Sequence, residues 1–161
     1  MDVVEFIVAG ALVESPEGLL LVRNQRGNGS TDWSTPGGVI DATDASVLGG
    51  LAREVEEETG LHVTTWEGPV YEVHASAPEL GWSMRCEVYR ALEYHGTLRI
   101  DDPDGIVIDA CFAPRDRWRE LVETCSQWVR EPLADWPEHR WEPADPRRYV
   151  YDVQGAQRDQ V

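Results

Sequence analysis

The strongest constraint on this chain is a cluster of acids carried by one short amphipathic segment. From Arg53 to Leu61 it reads Arg-Glu-Val-Glu-Glu-Glu-Thr-Gly-Leu, four carboxylates in five residues. Upstream, Trp33-Ser34-Thr35-Pro36-Gly37-Gly38 has the composition of a loop. Val47, Leu48, Leu51, Ala52 and Val55 recur at helical spacing. A helix is therefore predicted to about Thr59, with Asp44 or a neighbouring polar residue capping its start and Gly60 stopping it. At ~100° per residue, Glu54, Glu57 and Glu58 share one sector of ~100°, and Glu56 points away. Like charges at i,i+3 and i,i+4 cost an isolated helix roughly 0.2–0.5 kcal/mol per pair. A solvated acidic face would leave that cost standing; a divalent cation would offset it.

This segment, with Gly38 before it, resembles the Nudix box, G-x5-E-x7-R-E-U-x-E-E-x-G-U, in which U is aliphatic. Arg53, Glu54, Val55, Glu57, Glu58, Gly60 and Leu61 are all in place. Two departures stand out. The acid before the helix is Asp44 instead of Glu, and eight residues, not seven, separate it from Arg53. An insertion inside the helix would rotate upstream residues by ~100° relative to the glutamates. Val47 and Leu48 would then leave the face defined by Leu51 and Val55, so the extra residue is expected in the loop before the helix.

The rest of the composition narrows the setting. With 161 residues, 42% hydrophobic and 27% charged, the chain suits one globular domain. Residues 1–153 are expected to form it, with 154–161 a mobile tail. Cys86, Cys111 and Cys125 are odd in number, widely spaced and without a metal-ligand pattern, which points to reduced thiols in a cytoplasmic protein. Asp2 and Glu5 at the start do not suit a secretory signal, and no apolar run is long enough to span a bilayer. A net charge of −16 disfavours nucleic-acid polymers and anionic membranes as partners. A small anionic nucleotide stays open if cations bridge it, and Arg23 and Arg26 are local candidates for that. A homodimer is left open.

Along the chain, Val3 to Glu14 and Leu19 to Arg23 read as a hairpin across Ser15-Pro16-Glu17-Gly18. Further strands are expected at Val63–Thr65, Val70–Ala75, Arg85–Tyr94, Thr97–Ile100 and Ile106–Phe112. A second helical region spans Trp118, Leu121, Val122, Cys125, Trp128 and Val129. Beyond it, Pro132, Pro137, Pro143 and Pro146 are expected to break the backbone into irregular chain, before a last strand at Tyr149 to Val153. The pattern is an α+β protein with a mixed sheet between helices. The resemblance implies a Nudix-type α/β/α sandwich.

The resemblance also implies roles. Glu57 and Glu58 would be metal ligands, and Glu54 a ligand or the base that orients water. The carbonyl of Gly38 would be a further ligand, for Mg²⁺ or alternatively Mn²⁺. Arg53 would hold a glutamate through a bidentate contact, or else form a plain surface ion pair. Gly37 belongs to the substrate loop. Gly50 lies one turn before Glu54, where a side chain would crowd the cleft, unless Gly49-Gly50 is merely a weak point of the helix. Asp104 or Asp109 is the candidate additional acid, within a stretch where Asp101, Asp102 and Asp104 also suit turns. Trp33 reads as core packing, with base stacking the alternative. The four histidines stand at no metal-ligand spacing.

The expected function is Mg²⁺-dependent hydrolysis of a phosphoanhydride in a nucleoside diphosphate linked to another group. Nucleoside triphosphates, oxidised ones included, lead because the chain is short. The alternatives are ADP-ribose or nucleotide sugars, although Pro78 falls beyond the position where family members acting on those carry a proline. A non-catalytic nucleotide-sensing module is opposed by the retained Arg53-Glu54 and Glu57-Glu58 pairs. An isopentenyl diphosphate isomerase would need its own acid and thiol, and Cys86 and Cys111 are its only support.

Overall fold

The computed structural model describes residues 2–139 and 146–153. Its elements run β1 (Val4–Leu12), β2 (Glu14–Ser15), β3 (Gly18–Gln25), β4 (Thr31–Ser34), β5 (Gly37–Val39), α1 (Val47–Thr59), β6 (His62–Ala77), a 3₁₀ turn (Pro78–Leu80), β7 (Trp82–His95), β8 (Val107–Ala113), α2 (Arg115–Val122), α3 (Gln127–His139) and β9 (Arg147–Asp152). One sheet has the order β5-β1-β7-β6-β9; β1 with β7 and β6 with β9 are parallel, the other pairs antiparallel. In the second sheet β3 pairs with β2, β4 and β8, all antiparallel. This is the expected α+β sandwich with a mixed sheet.

Side-chain alternation splits the core in two. On β1, Ala9 and Ala11, followed by Val13, pack with Leu51 and Val55 of α1, while Leu12 faces the cluster of Trp118, Trp128, Leu133 and Trp136 from α2 and α3. On β3, Leu20 joins the α1 cluster, whereas Leu19 and Leu21 join the other. Strands covered on both faces read as continuous apolar runs, which is why Leu19 to Val22 shows no polar alternation.

Helix α1 starts later than Asp44: Ser46 is the cap, its Oγ accepting from Gly49 N at 2.9 Å. The helix is unbroken α to Thr59 and ends in left-handed Gly60 (φ 81°). The extra residue before Arg53 therefore lies in the loop ahead of the helix.

Four expectations need correction. Val3 to Glu14 does not form a hairpin with Leu19 to Arg23: β1 pairs with β5 and β7, and only Glu14–Ser15 pairs with β3 across the turn. Thr97 to Ile100 is not a strand; instead Arg99 N donates to Thr59 O and closes the end of α1. The segments expected at Val63–Thr65 and Val70–Ala75 are one strand, β6, bulged against β7. Pro132 and Pro137 sit inside α3 rather than ending it. A proline in a helix interior costs about 3 kcal/mol. Burial of Trp128, Leu133 and Trp136 on one face opposes that cost. Tyr149 and Tyr151 of β9 also donate to Asp135 and Glu131 of α3, each at 2.9 Å. The expected tail, 154–161, and Pro143 lie outside the described residues.

Candidate active site

A cleft of about 370 Å³ opens where β5, α1 and the loop before β8 meet the inner faces of β1, β6 and β7. Glu54, Glu58, Gly37, Gly38, Asp102 and Asp104 line its acidic part. Tyr71, Met84, Val88, Cys86, Trp128 and Val129 line its apolar part.

The acidic part is built by the pairing of β5 with β1, which sets Gly38 opposite Ala9 and Gly37 opposite Gly10. A Cβ on Gly38 would stand 2.8 Å from the Glu54 carboxyl carbon, so only glycine lets that carboxylate lie against the strand. Gly37 N donates to Glu58 Oε2 at 3.1 Å. Glu58 is 8% exposed, and no cationic side chain pairs with it among the described residues. Burial, only partly countered by the Gly37 N–H, holds its carboxyl well above the usual range. Burial likewise pushes Glu54 up to about 7, against the pull of Arg53.

Arg53 does not grip a glutamate bidentately. Its two-pronged contact is with Asp44, Nε to Oδ1 at 2.9 Å and Nη2 to Oδ2 at 3.0 Å. Nη1 reaches Glu57 at 3.1 Å and Glu54 at 3.3 Å. The hydrogen bonds from Arg53, followed by the Asp41 N–H, lower the Asp44 carboxyl, and Asp44 in turn raises Arg53. The shorter aspartate and the extra loop residue thus place a carboxylate on Arg53. Gly50 belongs to this arrangement and not to the cleft: a Cβ there would meet Ile40 at 2.8 Å and Asp44 at 2.9 Å.

Other sequence candidates separate. Arg26 lines the cleft and pairs with Asp32. Arg23 is exposed, donates to Thr31 Oγ1 and does not line the cleft. Asp104 lines it, whereas Asp109 lies opposite Arg23 on the β3–β8 ladder and accepts from Ala110 N. Glu57 pairs with Arg53 and does not line the cleft. Asn24 and Ser34 also line the cleft and were not among the sequence candidates; a polar residue continuing the buried Leu20–Val22 face of β3 at strand spacing was the available signal for Asn24.

Among the described residues, no three Asp, Glu, His or Cys side chains converge closely enough to chelate an ion as they stand. By chemistry the donors still fit a hard divalent cation: two desolvated carboxylates at one wall, Glu58 without a cationic partner. The two raised carboxyls have a consequence for the cation-free protein. For Glu54 the folded chain binds more protons than the unfolded one between the ordinary value of 4.5 and about 7, and Glu58 acts in the same direction above 4.5, so stability falls as pH rises through that window. Asp44 has the opposite sign, but acts only below 3.8. We expect the melting temperature in EDTA to drop from pH 5 to pH 8, and the drop to shrink in Glu54→Gln and Glu58→Gln. An equal slope in both variants would contradict this.

A sequence profile of the NUDIX domain matches residues 5–143. No curated protein matches the chain in sequence. Solved structures share its fold. A MutT protein from Methanosarcina mazei Go1 superposes with TM-score 0.70 at 19% identity, covering 88% of this chain and 99% of that one. The E. coli ORF135 protein gives 0.68 at 19% identity, covering 89% and 96%. An ADP-ribose pyrophosphatase from Streptococcus suis gives 0.53 at 16% identity, covering 89% and 98%. No helix among the described residues is long and apolar enough to cross a membrane. With the domain match spanning most of the chain, and a fold and carboxylate helix to agree with it, this protein belongs to the Nudix hydrolase family.

Proposed function

We propose that the protein hydrolyses a nucleoside triphosphate, releasing a nucleoside monophosphate and pyrophosphate, in a reaction that needs Mg²⁺ or Mn²⁺. One observation carries this reading: a single cleft joins an acidic wall to an apolar pocket bounded by Trp128, Met84 and Tyr71. Its size suits one small ligand. A base fits the apolar part, while the anhydride reaches the wall of Glu54, Glu58 and Gly38. The cation, when bound, neutralises phosphate oxygens. Glu54, with its carboxyl near neutral pH, takes the proton from the attacking water. Glu57 and Glu58 supply the remaining carboxylate oxygens, and Arg53, fixed by Asp44, keeps Glu54 and Glu57 from drifting. Asp104 completes the acidic wall.

The test is product analysis over nucleoside triphosphates, ADP-ribose and nucleotide sugars, with Mg²⁺ and with EDTA. Monophosphate plus pyrophosphate from a triphosphate, abolished by EDTA, is the expected result. Cleavage of ADP-ribose alone would transfer the assignment to that substrate class. Nucleotide binding without turnover in either cation would make the protein a sensing module.

A further inference from the structure

One polar side chain in the cleft has no part in the chemistry above. Asn24, on β3, is 7% exposed and lines the cleft. Its Nδ2 donates to Asp32 Oδ1 at 3.1 Å and to Ser34 Oγ at 2.9 Å. Asp32 as a carboxylate can only accept, and it already holds Arg26 through two contacts of 2.6 and 2.8 Å. Ser34 donates its own proton to Thr35 O at 3.1 Å, so toward Asn24 it too can only accept. Both neighbours therefore demand the NH₂ end. The amide cannot turn over without setting oxygen against oxygen. Its two protons are used, and Oδ1 has no hydrogen-bond partner among the described residues.

The residue is largely buried, but this oxygen is not among the sealed-off polar atoms without a partner; on a side chain that lines the cleft, it is an acceptor held in one orientation and accessible to a ligand. The missing partner must be a donor. A phosphate offers acceptors and would repel this oxygen. The amide's neighbours lie near the apolar wall: Asp32 and Arg26 both act electrostatically on the Cys125 thiol, at the start of the wall formed by Cys125, Trp128 and Val129. A planar ring lying along that apolar wall would bring its edge to β3.

We propose that Asn24 selects the base of the bound nucleotide, Oδ1 accepting a hydrogen bond from an N–H on the nucleobase edge. Asp32 and Ser34 are positioning residues that keep the amide in its accepting orientation. This rests on the nucleotide reading of the cleft.

The experiment measures kcat and KM for the four ribonucleoside triphosphates with Mg²⁺, together with calorimetric binding of the four monophosphates. Tripolyphosphate and ribose 5-phosphate serve as base-free probes. Asn24→Leu keeps the volume and removes the acceptor. It should raise KM for the preferred triphosphate roughly 10–100-fold, leave kcat nearly unchanged, and narrow the spread among bases. Binding of both base-free probes should not change. Asp32→Asn lets the Asn24 amide turn, and should reorder the bases. The inference is overturned if folded Asn24→Leu keeps the wild-type KM and ranking, or weakens the base-free probes equally. Should Asn24→Leu fail to fold by circular dichroism, an unchanged base ranking in Asp32→Asn overturns it instead. Wild-type turnover of triphosphates with no base dependence sinks this inference alone; absence of any nucleotide binding or turnover sinks the proposed function with it.

Discussion

Glu58→Gln is expected to lower turnover by about 100-fold or more, the lower range for a positioned carboxyl group at a reacting centre, while stabilising the cation-free protein. The two effects share one cause. Glu58 is 8% exposed, accepts from the Gly37 N–H, and has no cationic side chain beside it among the described residues. Burial makes ionisation of this carboxyl costly in the absence of a cation, and the neutral isostere removes that cost. The same substitution removes a hard oxygen donor that a divalent cation and its phosphates need. Strain held at a working site in this way is a common form of the trade between stability and activity. Thermal melts in EDTA, paired with turnover in Mg²⁺, check it. A variant that loses activity and also melts lower at pH 8 would show that Glu58 is structural. A variant with near-normal turnover at saturating Mg²⁺ would remove it from the chemistry.

Gly37→Ala and Gly38→Ala should fail in different ways although the residues are adjacent. At Gly37 the backbone has φ +153°, and a Cβ would lie 2.1 Å from the Ala9 carbonyl oxygen, inside the β1–β5 ladder. Neither backbone can yield without breaking the pairing, so we expect a loss of about 3 kcal/mol or more, at the upper end for an overpacked site. Gly38 has no such backbone restriction, and its Cβ would meet the carboxyl end of Glu54 at 2.8 Å. A side-chain end can swing away. Gly38→Ala should therefore keep most of its stability and lose activity through a displaced Glu54. Urea denaturation and turnover on the same two variants decide the matter. Equal destabilisation of both would refute the distinction.

How far the sequence reached can be judged at particular residues. The acids of α1 were legible because a helix has one period: once Arg53 to Leu61 is helical and Gly60 ends it, Glu54, Glu57 and Glu58 must share a side. The NUDIX profile over residues 5–143 agrees with the family read from the box. Local rules misjudged α3, where Pro132 and Pro137 argued for irregular chain. Burial of Trp128, Leu133 and Trp136 against the sheet is a long-range gain that no local propensity contains. Thr97–Ile100 failed for the related reason that its backbone is used to close α1.

The family and the helix that carries the carboxylates are properties of the sequence, because short-range periodicity and a contiguous motif suffice to set them. Which acids enter the cleft is a property of the folded molecule. Folding brought Asp44 onto Arg53, paired Glu57 with Arg53 outside the cleft lining, set Asp104 and not Asp109 along the cleft, and turned the Asn24 amide toward Asp32 and Ser34. Each of those outcomes depends on sheet register and loop closure between residues distant in the chain, and on the desolvation that burial then imposes. Neither is written in any local stretch of sequence.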